Sequence, residues 1–300
     1  MILKIIPLGG LGEIGLNMMV FEYGESMIVV DCGLMFPEDY MLGVDFVIPD
    51  IRYIKKNHQK LRGIVLTHAH EDHIGAVPYL IREVNAPVFG TPFTLGMVRH
   101  KLEEHDLISM ARLNEIHPGE TMSLGDFGLE FIRVAHSVVD GIGLAIRTPV
   151  GLILHTGDFK ITQTSIKSMD TDLSRFSQLG DEGVLALLSD STNVEKDGYT
   201  ISDRQVGETL SKIASDSKGR IIIALFASSI ARIQQVVNIA AQTGRKILFN
   251  GKSIETSVRM AKSLNYLQIP DDLEIEIDKL KAFAEDETLI ITTGSQDRKS

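Results

Sequence analysis

Short apolar runs separated by turn residues dominate the first half of the chain. Runs rich in β-branched residues predict strands, and apolar positions at helical spacing between them predict helices. The predicted strands are 4–6, 18–23, 27–30, 62–67, 87–90, 128–135, 143–148 and 151–156, and the predicted helices are 74–83 and 93–104. Two runs of strands with helices between them are typical of a sandwich of sheets covered by helices.

The pattern changes from about Gly183, where single strands alternate with single helices. The predicted strands are 184–189, 220–226, 246–249 and 288–292, and the helices between them are 203–216, 230–242 and 254–263. This alternation predicts a parallel sheet with right-handed crossovers. Turn residues cluster near 193–200, so we predict a mixed α/β (α+β) chain with one domain at 1–195 and a second at 196–300.

Composition narrows the class of protein. The 300 residues are 44% hydrophobic with a net charge of -10, which excludes a disordered chain and a broadly basic nucleic-acid-binding surface. The single Cys32 excludes an intramolecular disulfide, and the longest apolar runs fall short of the ~20 residues that cross a bilayer. We therefore expect a cytoplasmic location and no membrane partner.

Three imidazoles and a carboxylate lie together where a predicted buried strand meets a helix. They are His68, His70, Asp72 and His73, all of residue types that ligate metals. The spacing of the three histidines would arise by chance in roughly 1% of chains with this histidine content. Residues i and i+2 of an extended segment point to the same side, so His68 and His70 can share one ion. Asp72 and His73 turn onto the helix start and face a second ion.

Two more ligand candidates follow predicted strands that end at the same sheet edge. His136 ends the strand 129–135, and Asp158 follows the strand and turn 152–157. His136 would complete a triad with His68 and His70, whereas Asp158 could bridge the two ions. A pair of ions about 3.5 to 4 Å apart can hold a bridging hydroxide and clamp the attacked oxygen. The predicted catalytic carboxylates are therefore Asp72 and Asp158.

A glycine pattern near the N-terminus suggests a different chemistry. Gly10, Gly12 and Gly15 match the dinucleotide-binding fingerprint, and Asp31 falls near the distance that this motif expects. That motif requires a helix straight after the third glycine, but 18–23 is predicted to be a strand. Asp31 is better explained as a hydrogen-bond acceptor behind a metal-bound imidazole.

These residues resemble the metallo-β-lactamase superfamily, whose hallmark His-x-His-x-Asp-His loop matches 68–73. His136 and Asp158 fit its third and fourth motifs, and Asp31 looks like its first. The resemblance implies an αββα sandwich and a hydrolase that uses one or two zinc ions. The superfamily's substrates range from β-lactams and thioesters to nucleic acids.

Longer strings resemble the β-CASP branch, and within it the bacterial ribonuclease J family. These strings are 7–15, 66–76 and 156–160, with further similarity at 226–229, 251–253 and 293–296. Asp190 resembles the acidic residue of motif A. The resemblance implies RNA as partner, hydrolysis of RNA in 5′-to-3′ exonucleolytic and endonucleolytic modes, two Zn²⁺ ions with Mn²⁺ or Mg²⁺ as alternatives, and self-association into a homo-oligomer.

The chain also departs from that family. Members continue beyond the β-CASP insertion with a further metal-ligating histidine, so we expect a partial β-CASP domain and a second ion held more weakly than the first. Ser228 and Ser229 precede a predicted helix and are candidate RNA phosphate contacts, with a plain helix cap as the alternative. Two other functions remain open, namely a thioesterase or lactonase of the same superfamily and a non-catalytic RNA-binding module.

Overall fold

A computed structural model describes residues 1–161 and 170–293, which form two compact units. The first unit comprises Met1–His136 and Asp140–Thr192, and the second comprises Ser137–Val139 together with the chain from Asn193. No helix within the described ranges has the length and apolar character needed to span a bilayer.

Two sheets build the first unit. One has the strand order β1-β2-β3-β4-β5-β6, and the other has the order β11-β10-β9-β8-β7. The strands of the first sheet are β1 (Leu3–Gly9), β2 (Met18–Tyr23), β3 (Ser26–Val30), β4 (Leu61–Val65), β5 (Pro87–Gly90) and β6 (Arg112–Glu115). The strands of the second are β7 (Thr121–Leu124), β8 (Phe127–Arg133), β9 (Ile142–Thr148), β10 (Gly151–His155) and β11 (Val184–Leu188). The strands from β3 to β6 run parallel, whereas β7 to β10 are antiparallel.

The inner faces of the two sheets share one apolar core. Phe21 and Val65 of the first sheet pack with Phe131, Leu144 and Ile153 of the second. Burial of apolar surface at about 25 cal/mol per Å² makes this layer the main stabilising element of the unit. The packing of two sheets face to face confirms the predicted sandwich.

Helices cover the outer faces of this sandwich. The helices of the first unit are α1 (Arg52–Lys56), α2 (Glu71–Ile74), α3 (Val77–Glu83), α4 (Pro92–Glu104) and α5 (Leu173–Glu182). The α4 helix packs on β5 and β6, and α3 packs on α4. On the second sheet, Leu179 of α5 packs against Leu152 and Leu154. The first unit is therefore an αββα sandwich, as predicted.

The second unit alternates strands and helices. Its elements are α6 (Asp203–Asp216), β12 (Ile221–Leu225), α7 (Ile230–Thr243), β13 (Lys246–Asn250), α8 (Lys252–Ser263), two 3-10 turns (Ile277–Ala282 and Glu285–Glu287) and β14 (Thr288–Thr293). The three strands run parallel in the order β12-β14-β13. The α6 helix begins at a reciprocal cap between Ser202 and Gln205. The predicted parallel βα arrangement is confirmed here.

The structure corrects two sequence predictions. Strand 184–189 was expected to open the parallel sheet of the second domain, but β11 pairs with β10 in the first unit. A local apolar run specifies a strand without specifying its partner. The single helix predicted at 74–83 is two helices, because Pro78 lies in the first turn of α3 and lacks the N–H that would continue α2. The helices α1 and α5, the strands β6 and β7 and the 3-10 turns have no counterpart among the predicted elements.

The buried guanidinium of Arg245 links backbone segments of the second unit by hydrogen bonds. Arg245 is 4% exposed and donates to the backbone carbonyls of Ser217 at 2.7 Å, Gly219 at 2.9 Å and Thr288 at 3.4 Å. The Ser217 carbonyl follows the C-terminus of α6, where the helix dipole favours a cation. The charge is thus satisfied by carbonyl oxygens.

Replacing this residue by methionine should destabilise the second unit. Arg245→Met keeps the apolar stem but leaves buried carbonyls without donors, and we expect a loss of about 2 to 3 kcal/mol in the free energy of unfolding. Urea denaturation measures it. Arg204→Met is the matched control, because the Arg204 side chain is 88% exposed and should change stability by less than about 0.5 kcal/mol. Equal losses in the two variants would contradict this role for Arg245.

Candidate metal centre

The ends of four strands bring the predicted ligands to one edge of the sandwich. The His68 to His73 loop follows β4, Asp31 follows β3, His136 follows β8 and Asp158 follows β10. Backbone bonds hold these loops together, since Asp31 N donates to Val65 O at 2.9 Å and Ile142 N donates to Thr67 O at 2.9 Å. The loops after β3 and β4 of one sheet and after β8 and β10 of the other therefore lie side by side.

Four of these side chains form one potential metal site, here called the four-donor set. His68, His70, His136 and Asp158 each offer a ligand atom, and these atoms all lie within 4.8 Å of one another. His70 Nδ1 lies 3.0 Å from His68 Nε2 and 3.2 Å from His136 Nε2. Asp158 Oδ2 lies 3.9 Å from His68 Nε2 and 3.7 Å from His136 Nε2. Separations of this size suit atoms that surround one ion.

A second group, here called the three-donor set, shares Asp158. His73 Nε2 lies 3.6 Å from Asp72 Oδ2 and 3.5 Å from Asp158 Oδ1. The two oxygens of Asp158 therefore face different sets, which is the arrangement expected of a bridging carboxylate. The three-donor set contains one imidazole, whereas the four-donor set contains three.

Hydrogen bonds behind the ligands fix the direction of two imidazoles. Asp31 is 2% exposed, and its Oδ2 accepts from His73 Nδ1 at 2.8 Å, which leaves Nε2 of that ring facing Asp72 and Asp158. Thr67 donates its hydroxyl to Asp31 at 2.8 Å and lies 3.0 Å from His68 Nδ1. Because that hydroxyl proton is used, the ring of His68 donates through Nδ1 and turns its Nε2 lone pair toward the site.

Electrostatics distinguish the two sets. Burial lowers the pKa of His68 and His136, and it lowers the pKa of His70 to about 3. Burial also favours a neutral His73, but Asp31 and Asp158 outweigh it and hold the pKa of His73 well above its ordinary value. Burial by itself raises the pKa of Asp158, whereas its hydrogen bond with His73 and the imidazole charges lower it to about 2.

These residues fit divalent ions. In the four-donor set, uncharged imidazole nitrogens converge at 3.0 to 3.2 Å on one another beside an ionised carboxylate. Lone pairs held this close repel unless a cation lies between them. Imidazole nitrogen with carboxylate oxygen is a donor combination that zinc and other first-row dications accept.

The two sets should differ in proton release. The raised pKa of His73 means that its ring gives up a proton when Nε2 ligates, whereas the lowered pKa values of the His68, His70 and His136 rings leave them few protons to lose. Filling the three-donor set should therefore release more protons than filling the four-donor set. The affinity of the three-donor set should accordingly weaken as the pH falls. Calorimetric zinc titrations in two buffers of different ionisation enthalpy measure this, and equal release in both steps would contradict it.

The remaining predicted site residues lie outside both sets. Asp190 accepts from Thr192 N at 2.8 Å and from Phe159 N at 3.4 Å, so it braces the segment that follows Asp158. Ser228 and Ser229 belong to the second unit, between β12 and α7, and the Ser229 side chain makes no cap hydrogen bond to the helix. Of the string 293–296, only Thr293 lies within the described residues.

The glycine pattern at 10–15 is followed by a strand, as predicted. The strand β2 follows Gly15 and no helix begins there, so the requirement of the dinucleotide motif is not met.

Two residues that the sequence did not reveal also contribute to the metal centre. Thr67 orients His68, and the Asn17 amide lies 3.2 Å from Asp72 Oδ2 and 3.1 Å from His73 Nε2.

Comparison with known families defines the class of protein. Residues 11–194 match the family model of the metallo-beta-lactamase superfamily, and residues 218–300 match that of the ribonuclease J beta-CASP domain. Because the first match covers more than half of the chain, the chain belongs to the metallo-β-lactamase superfamily. The resemblance to the ribonuclease J family is likewise confirmed.

Curated relatives make the comparison more specific. The chain is 43% identical to ribonuclease J of Helicobacter pylori, over 98% of the chain and 42% of that protein. It is 43% identical to ribonuclease J2 of Bacillus subtilis, over 98% of the chain and 53% of that protein. The chain thus spans about half the length of these relatives. A crystal structure of a protein of unknown function from Enterococcus faecalis shares the fold, with a TM-score of 0.68, 14% identity and coverage of 98% of this chain and 77% of that one.

Proposed function

We propose that the chain is the metal-binding part of a ribonuclease that hydrolyses RNA phosphodiester bonds, in 5′-to-3′ exonucleolytic and endonucleolytic modes. The observation that carries this proposal is the pair of ligand sets joined by Asp158. The ribonuclease J relatives support RNA as the substrate. We propose two Zn²⁺ ions as the cofactor, with Mn²⁺ or Mg²⁺ as alternatives.

In this mechanism the protein supplies negative charge beside the ions and fixes the orientation of the side chains that ligate them. Two dications in these sets would activate water and neutralise the scissile phosphate. Asp158 keeps the two sets at a fixed separation because its oxygens face both. Asp72 supplies anionic charge beside His73, and Asp31 keeps the ring of His73 in the orientation that ligation needs.

Local contacts outside the metal centre complete the proposal. An acidic chain must hold RNA at restricted points, and we propose that Ser228 and Ser229 at the start of α7 contact a phosphate, where the helix dipole favours an anion. We assign Asp190 to the acidic motif A. We further propose a metallo-β-lactamase portion at 1–195, a partial β-CASP portion at 196–300, a homo-oligomer and a cytoplasmic location.

The serine proposal has a direct test. The double variant Ser228→Ala and Ser229→Ala should weaken binding of a short 5′-phosphorylated RNA by about 5- to 10-fold, because hydroxyl donors to the phosphate are lost. Fluorescence anisotropy measures the affinity. Zinc content should stay unchanged in this variant. Unchanged RNA affinity would contradict a phosphate contact at these two serines.

The proposed activity is tested with end-labelled RNA. The chain loaded with zinc or manganese should shorten the RNA, and a chelator should stop the reaction. Intact RNA with both metals would contradict the proposed activity. Cleavage of a thioester panel in place of RNA would favour the thioesterase alternative, and chelator-insensitive RNA binding without cleavage would favour the non-catalytic module.

A further inference from the structure

The side chain of Asn17 lies against the three-donor set, although it belongs to the loop before β2. Its Nδ2 is 3.2 Å from Asp72 Oδ2 and 3.1 Å from His73 Nε2. Asp72 Oδ2 is a hydrogen-bond acceptor, and His73 Nε2 becomes one when the ring gives up its second proton, because Nδ1 donates to Asp31. The NH₂ group of the amide must therefore face the set, since an amide oxygen there would lie against the Asp72 carboxylate oxygen, which also only accepts.

Main-chain bonds hold Asn17 in this place independently of its side chain. Asn17 N donates to Asp72 O at 3.1 Å, and Gly33 N donates to Asn17 O at 2.9 Å. Space for the amide comes from Gly10, where a Cβ atom would lie 2.5 Å from Asn17 Oδ1. The loop is thus arranged so that the amide reaches Asp72 and His73.

We propose that Asn17 is a positioning residue for the three-donor set. Its NH₂ group holds the Asp72 carboxylate beside His73 Nε2, whose ring is oriented by Asp31, so that a divalent ion meets ligands that are already oriented. A carboxylate oxygen has two lone pairs, so Asp72 Oδ2 can accept from Asn17 and still ligate. The inference rests on the proposed metal centre and assigns a role to a residue outside the superfamily motifs matched above.

The four-donor set provides an internal reference for this proposal. The contacts described for the Asn17 side chain go to Asp72 and His73, which are outside that set. Partners that orient metal ligands typically contribute 10- to 100-fold to metal affinity. Loss of the amide should therefore weaken one ion and spare the other, whereas a general defect of the fold would weaken both.

The test is a zinc titration of the whole chain against a competing chelator, without RNA. In Asn17→Ala the second dissociation constant should rise by about 10- to 100-fold, while the first changes by less than about twofold. Asn17→Leu keeps the branched shape of the side chain without the donor and should behave like the alanine variant. Asn85→Ala removes an exposed asparagine elsewhere in the first unit and should change neither constant.

Several results would overturn the proposal. An unchanged or tighter second ion in Asn17→Ala would mean that the amide does not prepare the site, and equal weakening of both ions or loss of folding would make Asn17 a structural support of its loop. A wild-type chain that binds fewer than two ions would overturn it as well. Because the readout is metal affinity, failure of RNA cleavage alone leaves this proposal standing and counts only against the proposed activity.

Discussion

Asp158→Ala should remove both ions from the chain. Its Oδ2 faces His68 and His136, and its Oδ1 lies 3.5 Å from His73 Nε2, so one substitution takes a ligand from each set. Partners behind metal ligands already contribute 10- to 100-fold, and a shared ligand should contribute at least about 100-fold to the affinity of each ion. The proposed RNA cleavage should fall to the level measured with a chelator present. Zinc titration and the labelled-RNA assay measure the two effects.

Two further variants make the Asp158 prediction specific. Asp158→Asn keeps the shape of the side chain without its charge and should also weaken both ions, by a smaller factor. Asp45→Ala removes an exposed carboxylate and should leave both affinities within about twofold. If Asp158→Ala kept either ion at the wild-type affinity, Asp158 would not be shared between the two sets.

Gly33→Ala should be strongly destabilising. A Cβ atom at this buried position would lie 1.6 Å from Asp72 O and 2.1 Å from Asp72 C. These are backbone atoms, and the bonds Cys32 N to His73 O at 2.8 Å and Leu34 N to Glu71 O at 3.1 Å hold the two segments together on either side. Separating the segments breaks those bonds and moves Asp72. We expect a loss of more than about 3 kcal/mol in unfolding free energy and loss of the three-donor set.

A glycine-to-alanine substitution elsewhere in the first unit should instead raise the free energy of unfolding. A Cβ atom at Gly180 would have no atom within 4 Å, and this exposed glycine lies inside α5. Gly180→Ala should therefore raise the free energy of unfolding by up to about 1 kcal/mol, because alanine favours a helix more than glycine does. Urea denaturation of the metal-free variants measures both effects. Similar stability in the two variants would contradict the close approach at Gly33.

Strand geometry explains why the ligands could be predicted from the sequence. His68 and His70 follow from the two-residue repeat of an extended segment. His136 and Asp158 follow β8 and β10, which both pair antiparallel with β9 and therefore end at the same sheet edge. Residue type and strand position together specified the cluster.

Other features depend on contacts between distant segments and have no local signal. Asn17 and Asp72 are 55 positions apart in the sequence, and backbone hydrogen bonds bring them together. Nothing in the sequence of the loop before β2 indicates that partner. The β6 strand (Arg-Leu-Asn-Glu) is a polar edge strand without an alternating pattern. The α5 helix has few apolar residues, and its clearest signal is the cap at Asp172, which accepts from Arg175 N.

The zinc-to-protein ratio of the purified chain, loaded with excess zinc at neutral pH and then freed of loosely bound ions, tests directly whether the chain holds two ions. Two ligand sets that share Asp158 predict about two ions per chain, with the ion of the three-donor set lost first on dialysis at lower pH. A ratio of one or less at neutral pH would contradict a pair of metal sites, because the donors that converge here would then not hold two ions.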